Sequence, residues 1–138
     1  MAVDALTPER RSANMRAIGA KHTSPELAVR RLVHRLGFRY RLHVPTLPGK
    51  PDLVFTRLKK IIDVRGCFWH QHHGCIDSHV PKSRVEYWKP KLARNCERDA
   101  ANARALRQEG WRVLIVWECQ VKDVARVGAR IKRFLGRR

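Results

Sequence analysis

The sequence predicts a mixed α/β fold, a central sheet flanked by helices. Three observations lead there. Segments of helical period and segments of strand period follow one another in the order helix, three strands, helix, strand, helix. The strand-like runs are of two kinds: FRYRLHV alternates apolar and polar residues, whereas RVLIVW is nearly continuous and apolar, as a strand covered on both faces should be. At 138 residues, 43% of them hydrophobic, the chain can bury one core. We therefore expect a single domain over residues 1–138, with about residues 1–20 as a basic N-terminal arm.

Taken in order, residues 7 to 19, TPERRSANMRAIG, read as a short basic helix or arm. Thr23 or Ser24 can cap the first long helix, with Pro25 and Glu26 in its opening turn. ELAVRRLVHRL turns Leu27, Ala28, Val29, Leu32, Val33 and Leu36 toward a core and stops at Gly37. Residues 38 to 44 form a half-buried strand, PTLPGKP a loop, and DLVF and KIIDV two strands joined by a turn at Thr56 to Lys59. A helix from about Lys89 to Gln108 has Pro90 in its first turn and Leu92, Cys96, Ala100, Ala103 and Leu106 on one face. Gly110 ends it. RVLIVW follows, with Trp111 and Trp117 assigned to packing. A last helix, about Val121 to Leu135, presents Val124, Val127, Ile131 and Phe134.

Charge narrows the function. Thirty Lys and Arg stand against 12 Asp and Glu, a net charge of +18 spread from Arg10 to Arg138. Such a surface attracts polyanions through phosphate contacts and counterion release. No apolar run approaches the roughly 20 residues needed to cross a bilayer. No stretch pairs a basic face with a broad apolar one, so a membrane surface is a weaker partner. MAVDALTPERRSANM has no apolar signal core, and a cytoplasmic protein is expected. In that compartment Cys67, Cys75, Cys96 and Cys119 are thiols or thiolates rather than two disulfides, and His72 and His73 nearby favour zinc.

Acidic residues are scarce, so their places are informative. Pro51-Asp52, ten residues, then Asp63-Val64-Arg65 resembles the PD-(D/E)xK signature of restriction-type nucleases. Carboxylates on adjacent strands there hold Mg²⁺, a hard cation that takes oxygen ligands and polarises a phosphate. Two Asp and one Arg match by chance in many basic proteins. The larger pattern is more specific. RSANMRAIGAKHTSPE, LPGKPDLVF, IIDVRGCFWHQHHGC and GWRVLIVWEC, in that order, closely resemble the very short patch repair (Vsr) endonucleases over about residues 10 to 120.

The resemblance implies a restriction-endonuclease-like fold with a structural zinc site. It implies a Mg²⁺-dependent endonuclease that nicks one DNA strand 5′ to the thymine of a T:G mismatch, the product of 5-methylcytosine deamination. The partner is then mismatched double-stranded DNA and the enzyme a monomer, with further repair proteins as possible partners. Asp52 matches the Mg²⁺-binding carboxylate, and Val64 the position whose backbone carbonyl meets the metal. His70 matches the general base or water-orienting histidine. Glu26 matches an acid near the metal-bound water. Cys67, His72, Cys75 and Cys119 match the zinc ligands. Phe68, Trp69 and Trp88 match aromatics that push into the base stack beside the mismatch. Lys91 and Asn95 match polar residues facing the mismatched bases. Met15 and Ile18 lie in the arm that reaches the other groove.

Two positions depart from the pattern. Arg65 stands where the family usually has His or Asp, and Asp63 where an apolar residue is common. Either a more ordinary Asp-x-basic metal site has been regained, with Asp63 catalytic, or catalytic efficiency is altered. His72 and Cys75 are separated by two residues, where some relatives have one, which leaves His73 as a rival ligand.

The residues support these roles on their own terms. Cys67, His72 or His73, and Cys75 form a compact cluster, and Cys119 follows a strand end. Four Cys/His ligands with no open position make a structural zinc. Cys96 reads as a buried thiol. His70 is left for proton transfer, the work that imidazole side chains most often do near neutral pH. Two consecutive aromatics in a loop do not both fit one core, and wedging them into a mismatched step costs less unstacking than into a paired one. Two other readings remain: a zinc-stabilised DNA-binding module without catalysis, and a related zinc-containing nuclease with another DNA target.

Overall fold

The computed structural model describes residues 23–136. The arm, with Met15 and Ile18, lies outside them. Helix α1, Ser24–Arg35, is capped by Thr23, whose hydroxyl accepts the Glu26 amide at 3.4 Å. Strand β1 is Arg41–Leu42, β2 Leu53–Phe55 and β3 Lys60–Arg65. Helix α2, Val85–Gln108, leads to β4, Arg112–Trp117, and α3, Val124–Leu135, is the last described element. The expected order of elements is the observed one.

The sheet runs β1-β2-β3-β4, antiparallel except for the parallel β3–β4 pair. That pair holds six residues in register, Lys60–Arg112 through Arg65–Trp117, and α2 is the crossover that parallel pairing requires. Alternation sorts the side chains to two faces. On one face Leu53, Phe55, Ile62 and Val116 pack with Val29 and Val33 of α1 and Val127, Ile131 and Leu135 of α3. On the other, Val54 and Ile61 pack with Leu106 of α2 and with Trp111.

Several boundaries differ from expectation. The strand expected over residues 38–44 shrinks to two exposed residues, because His43 turns to φ +44° and ends the ladder. Helix α2 starts a turn early, at Val85, so Pro90 is its sixth residue rather than part of its first turn. The early turn buries Trp88. Ala100 faces solvent, and Asp99 takes the inward place beside it. Helix α3 begins at Val124, which is exposed, and Leu135 fills the core instead.

The LPGKP loop is tied to α2. Gly49 has φ +78°, and a Cβ there would lie 2.8 Å from Asn102 Nδ2 and 3.3 Å from its Cβ. Only glycine fits this approach without displacing the helix side chain.

Candidate active site and metal centre

One step beyond the last β2–β3 pair, Leu53–Ile62, the ladder continues through side chains. The Asp52 amide donates to Asp63 Oδ1 at 3.0 Å, and the Val64 amide to Asp52 Oδ2 at 2.8 Å. The ten intervening residues are strand, turn and strand, which is why the two acids face each other. Burial, then the Asp63 charge, pushes the Asp52 carboxyl up to about 8, despite the Val64 hydrogen bond. Burial raises Asp63 as well. Two carboxylates so placed repel, and a divalent cation is the usual way to hold both ionised.

Glu26, only 2% exposed, reaches this end of the sheet from α1. Its Oε2 is paired with Arg30 one turn on, and lies 2.9 Å from His43 Nε2. His43 Nε2 is 3.7 Å from Asp52 Oδ1. Glu26, His43 and Asp52 can each turn one donor atom into a common space in which all lie within 4.8 Å of one another.

Near enough to act on the Asp63 carboxyl electrostatically, His70 Nδ1 meets Asp99 Oδ2 of α2 at 2.6 Å. The carboxylate holds the proton on Nδ1 and leaves Nε2 as the basic nitrogen. The His70 amide is anchored to Gly66 O at 3.1 Å.

The second donor group is Cys67, His72, Cys75 and Cys119, again within 4.8 Å of one another. His72 Nδ1 lies 3.7 Å from Cys67 Sγ and 3.4 Å from Cys119 Sγ. Sulfur and nitrogen on a tetrahedral zinc stand about 3.6 Å apart, so the donors fit that ion. The His72 ring is stacked on Trp117, centroids 4.2 Å apart and planes 9° from parallel. Glu118 Oε1 accepts the Cys67 amide at 3.2 Å. Burial pushes the Cys67 thiol up to about 12 and raises Cys119. A bound dication reverses that cost by holding thiolates. His73 is exposed and outside the group, and the half-buried Cys96 is outside it too.

Phe68, Trp69 and Trp88 form an edge-on trio with centroids 5.2 to 5.8 Å apart. Trp88 is the buried member, and Phe68 and Trp69 are half-buried above it. The Lys91 ammonium is 5.9 Å from the Trp69 ring, and Asn95 Nδ2 donates to Trp69 O at 3.3 Å.

Known proteins share this chain's sequence along its length. Residues 3–76 match the family model described as DNA mismatch endonuclease Vsr. The chain belongs to the Vsr family. A type II nicking enzyme of Xanthomonas oryzae, V.XorIIP, is 47% identical over 132 residues, which is 96% of both chains. V.NmeAIP of Neisseria meningitidis, also named a type II nicking enzyme, is 39% identical over 96% of this chain and 94% of its own. DNA mismatch endonuclease Vsr of Escherichia coli is 43% identical over 112 residues, 81% of this chain and 71% of that one. The protein is thus a Vsr-family endonuclease, and its mixed α/β architecture belongs to a nuclease family. No helix among the described residues is long and apolar enough to cross a membrane.

In this Vsr-family enzyme His70 is paired with Asp99, and the other described site residues fall into three groups. Asp52, Asp63, Glu26 and the Val64 amide share the end of the β2–β3 ladder. Cys67, His72, Cys75 and Cys119 share the thiol-rich group. Phe68, Trp69, Trp88, Lys91 and Asn95 surround the aromatic trio. Sequence reasoning missed Asp99, His43 and Glu118. Asp99 was within reach: spacing from Trp88, Leu92 and Asn95 puts an acid on the inner face of α2. His43 was not, since its position depends on a left-handed turn that the alternation of FRYRLHV conceals.

Proposed function

We propose that this enzyme nicks one strand of duplex DNA 5′ to the thymine of a T:G mismatch, using Mg²⁺ at Asp52 and zinc as a structural ion. The observation that carries the reading is the closeness of two groups, since His70 and Asp99 both act electrostatically on the Asp63 carboxyl. The Asp52–Asp63 carboxylates form the first group, and a histidine oriented by Asp99 the second. When bound, a divalent cation would polarise the scissile phosphate and acidify a water. His70 Nε2 would accept the proton of the attacking water, and Asp99 would stabilise the imidazolium that results. Asp52 and the Val64 carbonyl would hold the cation, with Glu26 beside its water. Cys67, His72, Cys75 and Cys119 would hold zinc and so fix the loop that carries His70.

Phe68 and Trp69 supply an apolar wedge next to this centre, with Trp88 as its buried base. A mismatched step is cheaper to open, so insertion links binding to mismatch detection. Lys91 and Asn95 border the wedge where the opened bases would lie. Met15 and Ile18 of the arm would reach the other groove. The +18 charge supplies most of the affinity through phosphates. We expect a cytoplasmic monomer. The test is nicking of T:G-mismatched and matched duplexes with Mg²⁺ and with EDTA. Mg²⁺-dependent nicking of the mismatched duplex alone is expected. Equal cutting of both would point to another DNA target, and DNA binding without cutting to a non-catalytic zinc-stabilised module.

A further inference from the structure

His43 is a residue that neither the motif nor the general-base reading uses, yet it is aimed at the catalytic end of the sheet. Its amide donates to Asp52 O at 3.2 Å, which ties its backbone to the residue that would carry the metal. Its φ of +44° is unusual for a residue with a Cβ. Such conformations cluster where a side chain is held for function. The turn swings the imidazole inward, so that Nε2 faces Glu26 Oε2 at 2.9 Å and Asp52 Oδ1 at 3.7 Å.

We propose that His43 Nε2 is an inner-sphere ligand of the divalent cation at Asp52 and Glu26, and that it shifts the site's preference from Mg²⁺ toward Mn²⁺. The inference rests on the reading of Asp52 as a metal ligand. Two features carry it. Adjacent donors on an octahedral ion with bonds of about 2.1 Å are about 3.0 Å apart. The two spacings around Nε2 need only small movements to match. The charge of the donor set also points away from Mg²⁺. Arg30 is paired with the Glu26 oxygen nearest His43, so that carboxylate is already partly neutralised. A neutral imidazole replaces a further oxygen. Mg²⁺ favours charged oxygens and keeps its waters, whereas imidazole suits later divalent ions, and affinity rises along the first transition row from Mn²⁺. The competing arrangement is a protonated His43 that bridges the two acids as an internal cation and never meets metal.

The test uses the full-length, zinc-loaded protein. Pulsed EPR on bound Mn²⁺ should show nitrogen modulation from a coordinated imidazole, and calorimetry should show Mn²⁺ binding at least tenfold tighter than Mg²⁺. In His43→Gln the nitrogen signal should vanish. Mn²⁺ affinity should fall tenfold or more and Mg²⁺ affinity less than threefold, with the melting temperature unchanged within a few degrees. Wild-type Mn²⁺ without nitrogen modulation overturns the proposal with no variant needed. So does an unchanged Mn²⁺ to Mg²⁺ ratio in His43→Gln. Asp52→Asn separates this inference from the reading beneath it. If Asp52→Asn loses Mn²⁺ while His43→Gln does not, Asp52 keeps its role and His43 loses its own. If Asp52→Asn binds Mn²⁺ as tightly as wild type, both fall.

Discussion

His70 Nδ1 lies 2.6 Å from Asp99 Oδ2, so a loop histidine is oriented by a helix carboxylate 29 residues further along the chain. An amide in that place can present its NH₂ instead of an acceptor, and the imidazole then shifts to the wrong tautomer. Asp99→Asn should keep the fold, bound zinc and DNA affinity but slow single-turnover nicking by roughly two to four orders of magnitude. A rate within threefold of wild type would show that the pair serves packing alone.

His70→Ala should lose nicking to a similar degree, roughly two to four orders of magnitude, and keep its zinc. His72→Ala should lose zinc and melt earlier, because His72 Nδ1 faces the Cys67 and Cys119 sulfurs. Zinc content and melting curves on both proteins decide the matter. A zinc-replete, stable His72→Ala would move the ligand to His73.

About one zinc per chain is expected, with three of the four cysteines as ligands. Cys119→Ala should release the metal and destabilise the fold, since the ion's binding energy is folding energy. Cys96→Ala should keep it, because the Cys96 thiol points at His70 O, 3.9 Å away, and not at the cluster. Metal analysis after dialysis is the measurement. Zinc loss in Cys96→Ala would refute the ligand set.

Asp52→Asn should abolish nicking while leaving DNA affinity within a few-fold, since phosphate contacts supply most of the binding. It should also stabilise the metal-free protein near neutrality. Folding raises the Asp52 pKa from 3.8 to about 8. Between those values the folded state binds a proton that the unfolded chain has released. Stability from this group is therefore complete below about pH 4 and is lost as pH rises toward 8. The melting temperature of metal-free wild type should fall across that window. Asp52→Asn should flatten the slope, and an equally steep slope in the variant would assign it to other groups.

The aromatic trio should divide by depth. Trp88 is 6% exposed, and Trp88→Ala should cost about 3–5 kcal/mol of stability. Trp69→Ala should cost less stability but lower affinity for mismatched duplex more than for matched duplex. Parallel denaturation and gel-shift titrations separate the two. Equal loss on both duplexes would leave Trp69 as a support for the loop and not a wedge.

The sequence foretold the elements better than their ends. KIIDV and RVLIVW carry their own pattern, and their pairing follows from the helix between them. The Asp52–Asp63 encounter was legible because strand, turn and strand fix the spacing. His43 was not, since one residue of left-handed backbone turns an apparent strand into a side chain aimed at carboxylates. Asp99 escaped for a different reason. Small residues at 96, 100 and 103 complete a plausible apolar face, which masks the acid that the spacing from Trp88, Leu92 and Asn95 sets beside it. His72 and His73 could not be separated by spacing alone, because the choice depends on which ring Trp117 covers.

The close approach of Gly49 to Asn102 sets a rule for anyone exchanging parts among relatives. Asn102 stands one turn beyond Asp99 on the same helix, and Gly49 stands three residues before Asp52. In the proposed centre the contact therefore ties the acidic half, through the loop before Asp52, to the proton-handling half on the helix of Asp99. A loop transplanted with a larger residue at 49 would push that contact open unless position 102 were exchanged with it. The two positions form one unit of inheritance, and a chimaera that splits them would fold with its two halves out of step.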